Sequence, residues 1–238
     1  LLRGYSNTID DVKELICKII ATPTGNDYIE MRAKGFEEIS PQRKYHGIST
    51  QIIAQIKNVR VPFNVDIGVG DIIVPRAEER TINTQLPDFE APVIKTYSLE
   101  STIAEKFDAI LQRFELTGRM KDFYDIYYLS RTFDFEGAKL QAAIFETLQR
   151  RGTPYDRDSF KRIVALADDE DMQKRWKFFL KTIKDSTLEF PFVIAEIQTF
   201  LEPVFDAIMN EDEWQNIWKS NARKWSNLKG GTDRDKSS

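Results

Sequence analysis

The sequence predicts an α+β protein in which a region of short strands precedes a longer helical region. Apolar and polar residues alternate in segments 29–34, 48–56 and 59–68, as is typical of half-buried strands. From Ser98 onward the apolar residues recur instead at spacings of three and four, the period of an amphipathic helix. Because the two periods occupy separate parts of the chain, we expect strands and helices to be segregated along it.

The composition indicates a folded globular chain. Its 238 residues are 41% hydrophobic and 12% aromatic, which is ample material for a core. The net charge of −4 provides no global positive field for nucleic acid, so any such contact has to come from a local patch. Cys17 is the only cysteine, and no run of about 18 apolar residues predicts a membrane span. We therefore expect a cytoplasmic protein without a membrane segment or an internal disulfide.

The first predicted elements are one helix and three strands. Thr8 is a candidate N-cap, and helical spacing of apolar residues continues from it to about Ala21. The three alternating segments follow, and one antiparallel sheet accounts for all of them. Pro62 in the last segment indicates an edge strand or an irregular start, because proline cannot donate to a neighbouring strand.

The helical region begins at Ser98, which is a candidate N-cap. Gly118 separates the first two predicted helices, and Gly152 marks a later turn. Pro191 and Pro203 are expected to limit the elements between residues 189 and 209. The apolar stripe of the first helix consists of Leu99, Ile103, Phe107, Ile110 and Phe114.

These patterns divide the chain into three parts. Residues 1–96 form the predicted α/β region, and residues 97–229 form the predicted helical region. Residues 230–238 are polar and rich in Gly, Ser, Asp and Lys, which predicts a flexible tail.

Lys106 is the first candidate site residue. It lies roughly 60° from the centre of the apolar stripe of its helix, so its stem is expected to be partly buried while its ammonium emerges at the border. A lysine fixed in this way can be presented to a phosphate. The alternative is an ordinary boundary lysine that extends its charge into solvent.

A second candidate is the charged, aromatic segment from Arg119 to Leu129. Asp122 and Asp125 are three residues apart and share a helix face, within a helix that is aromatic enough to be buried on several sides. Buried carboxylates are costly unless they are paired or bind a metal or substrate, which favours a functional role. The alternative is local pairing, since Arg119 can reach Asp122 and Lys121 can reach Asp125.

A third candidate lies at the end of the last predicted strand. Asp66 projects from the face opposite Phe63, Val65 and Ile67, and it is followed by Gly68, Gly70 and Asp71. A carboxylate in this place can hold a hard cation such as Mg²⁺, which takes a few oxygen ligands together with water and substrate phosphates. The alternative is an ordinary solvent-facing strand residue. The glycine spacing matches neither of the common phosphate-binding loops.

Other residues give weaker signals. His46 is the only histidine, so metal sites or triads based on histidine have little material. Cys17 lies in an apolar helix and is expected in the core. Trp214, Trp218 and Trp225 alternate with basic residues and could stack on nucleic acid, although a C-terminal helix docking by its tryptophans is the commoner arrangement.

Three motifs, read in order, resemble the AbiEii/AbiGii toxin family of nucleotidyltransferase-like proteins. They are Asp66-Ile67-Gly68-Val69-Gly70-Asp71, the Ala104-Glu105-Lys106 segment, and Lys121-Asp122 within the aromatic helix. The resemblance covers roughly residues 8–131. It implies a polymerase-β-type nucleotidyltransferase fold with a mixed sheet and flanking helices, followed by a helical C-terminal region. It also implies the toxin half of a bacterial toxin–antitoxin or phage-defence pair.

The resemblance further implies a reaction and a set of site residues. Such a protein transfers a nucleotide from an NTP with Mg²⁺, in some relatives onto tRNA ends, and is paired with a cognate antitoxin. Lys106, which would also bind the nucleotide, and Asp122 are the implied catalytic residues, and Asp66 is the candidate metal ligand. Supporting roles are expected for Glu105, Arg119, Lys121 and Asp125.

The family pattern also includes an Asp-x-Asp strand that should precede the first helix. This chain starts at Leu1-Leu2-Arg3, not at methionine, so we expect it to begin partway through a longer protein and, as given, to be inactive. Two alternatives to a transferase therefore stay open. One is a catalytically incomplete binding or regulatory module of the same fold, and the other is an RNA-binding helical domain that uses the tryptophan segment.

Overall fold

A computed structural model describes residues 8–23, 28–39, 47–68, 73–85, 88–114, 118–184 and 187–227. His46, Gly70, Asp71 and the predicted flexible tail lie outside the described residues. The chain divides into two compact units, residues 1–71 and residues 72–238.

The described part of the first unit contains one helix and an antiparallel sheet, as the sequence predicted. Helix α1 spans Ile9–Ile20, and its N-cap Thr8 accepts a hydrogen bond from the Asp11 backbone N–H. The strands are β1 (Glu30–Ile39), β2 (Gly47–Ile56) and β3 (Val59–Ile67), with β2 in the centre. Pro62 therefore lies on an edge strand, as expected.

A small apolar core joins this helix to the sheet. Cys17 is exposed, so the expectation that it belongs to the core is wrong. It follows the buried Ile16 on the helix, and a step of about 100° turns its side chain outward. The buried residues of this core are Val12, Ile16, Ile48, Ile52 and Ile67.

The second unit contains most of the helices. It begins with the two-stranded antiparallel pair β4 (Glu78–Thr81) and β5 (Val93–Thr96). The remaining elements are α2 (Leu99–Arg113), α3 (Met120–Thr132), β6 (Phe135–Glu136), α4 (Gly137–Arg151), α5 (Ser159–Ala165), a 3₁₀ turn (Leu166–Asp168), α6 (Glu170–Ile183), α7 (Phe190–Asn210), β7 (Ile217–Lys219) and β8 (Lys224–Ser226). This segregation of strands and helices confirms the α+β class.

Helix α7 forms the centre of the larger core. It buries aromatic residues such as Phe200 and Phe205 that contact rings on neighbouring elements. Pro191 lies in its first turn, where a proline is tolerated, but Pro203 lies inside the helix and does not end it. The expectation that Pro203 limits an element is therefore wrong, because burial of this helix outweighs the local cost of about 3 kcal/mol. No helix among the described residues is long and apolar enough to span a bilayer.

The C-terminal tryptophans lie on and beside a β-hairpin, not on a helix. Strands β7 and β8 pair with each other, and β7 also pairs with β6. Trp218 is 2% exposed and donates its indole N–H to the Ser130 carbonyl at 2.6 Å. Trp225 stacks on Phe200 with ring centroids 5.9 Å apart. Trp218 is buried in the core and Trp225 is half-buried against it, which disfavours the proposed use of these rings as stacking surfaces for RNA.

Candidate active site

Helix α2 fixes the position of Lys106. The Ser98 hydroxyl caps the helix by accepting the Ser101 backbone N–H at 3.1 Å, and both serine hydroxyls donate to the Val74 carbonyl. Phe107 and its apolar stripe are buried, and the side chain of Lys106 beside them is only 19% exposed. The ammonium is thus held at the border of the core, as the helical spacing predicted.

Asp122 lies in the first turn of α3, directly after the predicted break at Gly118. Its side chain is 2% exposed, so it is a buried carboxylate. The first turn of a helix stabilises a negative charge because the macrodipole is positive there. The sequence correctly predicted an acid on a buried, aromatic helix. The structure places this acid, Asp122, in the N-terminal turn of the helix.

Two cations flank the Asp122 carboxylate. Arg119 Nε lies 2.6 Å from Oδ2, and Lys106 Nζ lies 3.4 Å from Oδ1. Arg119 Nη2 also donates to Oδ1 at 3.4 Å. Although Oδ2 is in close ionic contact with Arg119, it accepts no well-directed hydrogen bond from the described residues. The buried charge is therefore paired, but its hydrogen-bonding capacity is not saturated.

Asp125 forms ion pairs with two lysines. Its Oδ2 lies 2.5 Å from Lys106 Nζ and 2.6 Å from Lys121 Nζ. The local pairing that the sequence offered as an alternative is therefore present for both acids, and Lys106 joins the two pairs into one cluster. We call these five residues the Lys106 cluster: Lys106, Arg119, Lys121, Asp122 and Asp125.

A cavity of about 680 Å³ opens at this cluster. Asp122 lines the cavity, whereas Asp125, which pairs with Lys106, is not among its lining residues. The N-terminal turn of α3 forms one wall, and α6 forms another. The basic side chains on the walls are Lys106, Arg119, Lys121, Lys174 and Arg175.

The contribution of α6 to the cavity wall was not predicted from the sequence. Lys174, Phe178 and Thr182 recur at a spacing of four and line the cavity together with Arg175 and Phe179. This spacing was the available signal, since it places these side chains on one face of a helix. On sequence alone such a charged face looks the same as an ordinary solvated one.

Two predicted site residues do not belong to the Lys106 cluster. Glu105 is not among the residues lining the cavity, and its carboxylate lies 3.4 Å from the Arg151 guanidinium on α4. Asp66 belongs to the other unit, where it is exposed on β3 and accepts a hydrogen bond from Ser49 Oγ at 2.6 Å. The local environment of Asp66 is thus a polar strand face, as the alternation predicted.

The candidate acids differ in which groups already surround them, and this affects how well each could bind a metal cation. Each carboxylate of the Lys106 cluster already faces lysine or arginine, which would compete with a metal ion. The described residues contain no group of three or more His, Cys, Asp or Glu side chains arranged to hold a metal. Asp66 is exposed and has no basic side chain among its hydrogen-bond partners in the described ranges, so no lysine or arginine there competes with a cation for its oxygens.

The electrostatics of the cavity favour an anionic ligand. Among the described lining residues, five basic side chains face one acid, in a protein whose overall charge is −4. Cations gathered around a helix N-terminus are well suited to phosphate groups. The cavity walls therefore carry more basic than acidic side chains, although three of the lysines are paired with Asp122, Asp125 or Asp171.

Comparison with known proteins assigns the family. The family model described as "Nucleotidyl transferase AbiEii toxin, Type IV TA system" matches residues 1–211. No curated protein and no solved structure gives a significant match. The family match includes every candidate site residue predicted from the sequence, and it covers most of the chain. The chain therefore belongs to the AbiEii family of nucleotidyl transferase toxins of type IV toxin–antitoxin systems.

Proposed function

We propose that the cavity beside the Lys106 cluster binds the triphosphate of an NTP and that the protein transfers the nucleotide to an RNA acceptor such as tRNA. The observation that carries this proposal is the placement of a buried acid and a fixed lysine in one cation-rich cavity. The family supports a nucleotidyltransferase toxin at a coarser level. A cognate antitoxin is the partner that a type IV system implies.

The proposed reaction joins the acceptor hydroxyl to the nucleotide. The hydroxyl oxygen bonds to the α-phosphorus, the bond to the bridging oxygen breaks, and pyrophosphate leaves. Lys106, Arg119 and Lys121 neutralise the phosphate charge, and Asp122 orients the attacking hydroxyl and accepts its proton. Such chemistry depends mostly on positioning, which suits residues fixed by helix packing.

Asp125 supports the site through Lys106. Because its carboxylate lies 2.5 Å from the ammonium but is not among the cavity-lining groups, its role is to fix where the ammonium points. Residues of this kind orient a catalytic group by hydrogen bonding and ion pairing.

Mg²⁺ is the proposed cofactor, as the family resemblance implies, and Asp66 is the candidate protein ligand that would hold it. When bound, the ion would supply additional positive charge to the phosphates. Its contribution is tested by titrating NTP into the protein with and without Mg²⁺ and repeating the titration with Asp66→Ala. Unchanged binding under all conditions would contradict this cofactor assignment.

The proposed activity is tested by incubating the full-length protein with labelled NTPs and RNA that includes tRNA. Lys106→Ala and Asp122→Asn should each lose nucleotide transfer. Lys161→Ala removes an exposed lysine paired with Asp158 outside the cavity and should have no effect. Full activity of both cavity variants would overturn the assigned roles.

A control variant at a second buried acid separates an effect on catalysis from an effect on folding. Asp108 is 1% exposed and pairs with Arg151 at 3.0 Å, so it resembles Asp122 in burial but lies outside the cavity. Asp108→Asn should lower stability while the transfer activity per folded molecule is retained. Loss of transfer only in Asp122→Asn supports a catalytic role.

A second candidate is a binding or regulatory module that does not catalyse transfer. It is favoured by the ion pairs that both cluster acids form with lysine or arginine, because a structural role alone can explain such pairs. Calorimetry that shows NTP binding by the full-length protein, combined with no transfer to any RNA, would support it.

A further inference from the structure

The Phe178 ring is an exposed aromatic surface inside a charged cavity. Phe178 is 71% exposed, although it lies near the middle of α6 and lines the cavity described above. Lys174 and Thr182 lie one helical turn before and after it and line the same cavity. The ring therefore has a cation and a hydroxyl on either side along the helix.

The neighbouring phenylalanine has a different role. Phe179 is partly buried, and its ring lies 5.4 Å from Trp176 and 5.7 Å from Tyr124. Phe178 makes no ring–ring contact with any residue in the described part of the chain. Phe179 anchors α6 to the core and to α3, whereas Phe178 leaves its face open. Core packing thus does not account for the exposed ring.

An exposed phenyl face and a group of cations are complementary to the two halves of a nucleotide. Bases stack on aromatic side chains, while phosphates take the lysine and arginine side chains. The cavity volume of about 680 Å³ is within the range for small-molecule sites, about 300–1,000 Å³. A ligand with a flat aromatic part and a polyanionic part therefore uses both surfaces of the cavity.

We infer that Phe178 is the platform on which the base of the bound nucleotide stacks. This inference rests on the proposed NTP-binding function and assigns a position to the base, for which the Lys106 cluster provides no aromatic ring. Because every base has a π-face, stacking on Phe178 gives affinity for all four nucleotides and discriminates little between them.

The test compares nucleotides with a ligand that lacks the base. ATP, GTP, CTP, UTP and tripolyphosphate, each with Mg²⁺, are titrated into full-length protein and into Phe178→Ala. The variant should lose about ten- to hundredfold in affinity for each NTP, the contribution of one stacked base, with less than a twofold change for tripolyphosphate. Phe178→Tyr keeps the ring and should bind like the wild type.

Phe145→Ala is the matched control. Phe145 is 44% exposed on α4 and does not line this cavity, so its removal should leave all affinities unchanged. Normal NTP affinity in Phe178→Ala would overturn the stacking role of Phe178 but not the proposed NTP binding. A loss of tripolyphosphate affinity as large as the loss of NTP affinity would have the same meaning. If wild-type protein binds neither NTP nor tripolyphosphate, the proposed function and the platform fail together.

Discussion

The ammonium of Lys106 lies 2.5 Å from Oδ2 of Asp125, closer than the 3.4 Å that separates it from Oδ1 of Asp122. Asp125, the acid closest to the ammonium of Lys106, is therefore not the acid that lines the cavity, which is Asp122. This division separates a residue that positions the lysine from a residue placed to meet a substrate. It also makes the two acids experimentally distinguishable.

Replacing Asp125 and Asp122 should give different kinetic defects. Asp125→Asn loosens Lys106, so we expect weaker NTP binding and a raised KM, with an overall loss of about 10- to 100-fold. Asp122→Asn removes the proposed proton acceptor and should lower kcat, with little change in NTP affinity. Steady-state kinetics and calorimetry of both variants provide the measurement. A lowered kcat with unchanged KM in Asp125→Asn would reverse the assignment.

Glu100 provides a pH-dependent prediction about stability. It is half-buried in the first turn of α2, and burial raises the pKa of its carboxyl above the usual value, with Glu78 acting in the same direction. Since the folded state holds this proton more tightly than the unfolded state, the ionised group lowers stability as the pH rises.

Glu100→Gln should therefore stabilise the protein at pH 7 and have no such effect below about pH 4, where the wild-type carboxyl is protonated in both states. Urea unfolding at several pH values measures the difference. All the tryptophans lie in the second unit, so indole fluorescence reports on the unit that contains Glu100. A gain that is independent of pH would contradict the burial explanation.

Gly137 is expected to tolerate no side chain. A Cβ added there would lie 2.5 Å from Trp214 Cδ1 and 2.6 Å from the Asn216 carbonyl oxygen. Gly137→Ala should lower the free energy of unfolding by about 1–3 kcal/mol, because the backbone of the hairpin segment has to shift. Gly118→Ala is the control, since a Cβ at Gly118 meets nothing within 4 Å. Equal stability of the two variants in urea would contradict this prediction.

Helices and strands were predicted well where one local interaction or pattern determines them. Thr8 and Ser98 cap their helices as expected, because a hydroxyl at the N-cap satisfies a backbone N–H with little influence from the rest of the fold. The strands followed their alternation for the same local reason. Pro203 was misjudged because tertiary burial overrides local propensity.

The candidate site was predictable only in part. The spacing of Arg119, Lys121, Asp122 and Asp125 on one helix gave their pairs directly. The link from Lys106 to both acids depends on how α2 packs on α3, which no local pattern contains. Phe178 was missed because periodicity does not show whether an exposed helix face borders a cavity or open solvent.

The pairing of β6 with β7 has a consequence for the order of folding during synthesis. It joins residues 135–136 to residues 217–218, so the contacts of Trp218 with Ser130 and of Trp225 with Phe200 connect distant parts of the chain. Since these contacts join residues far apart in the sequence, we expect them to form late, after residues 217–225 have been synthesised. Until then, the core of the larger unit should lack the packing that Trp218 and Trp225 provide.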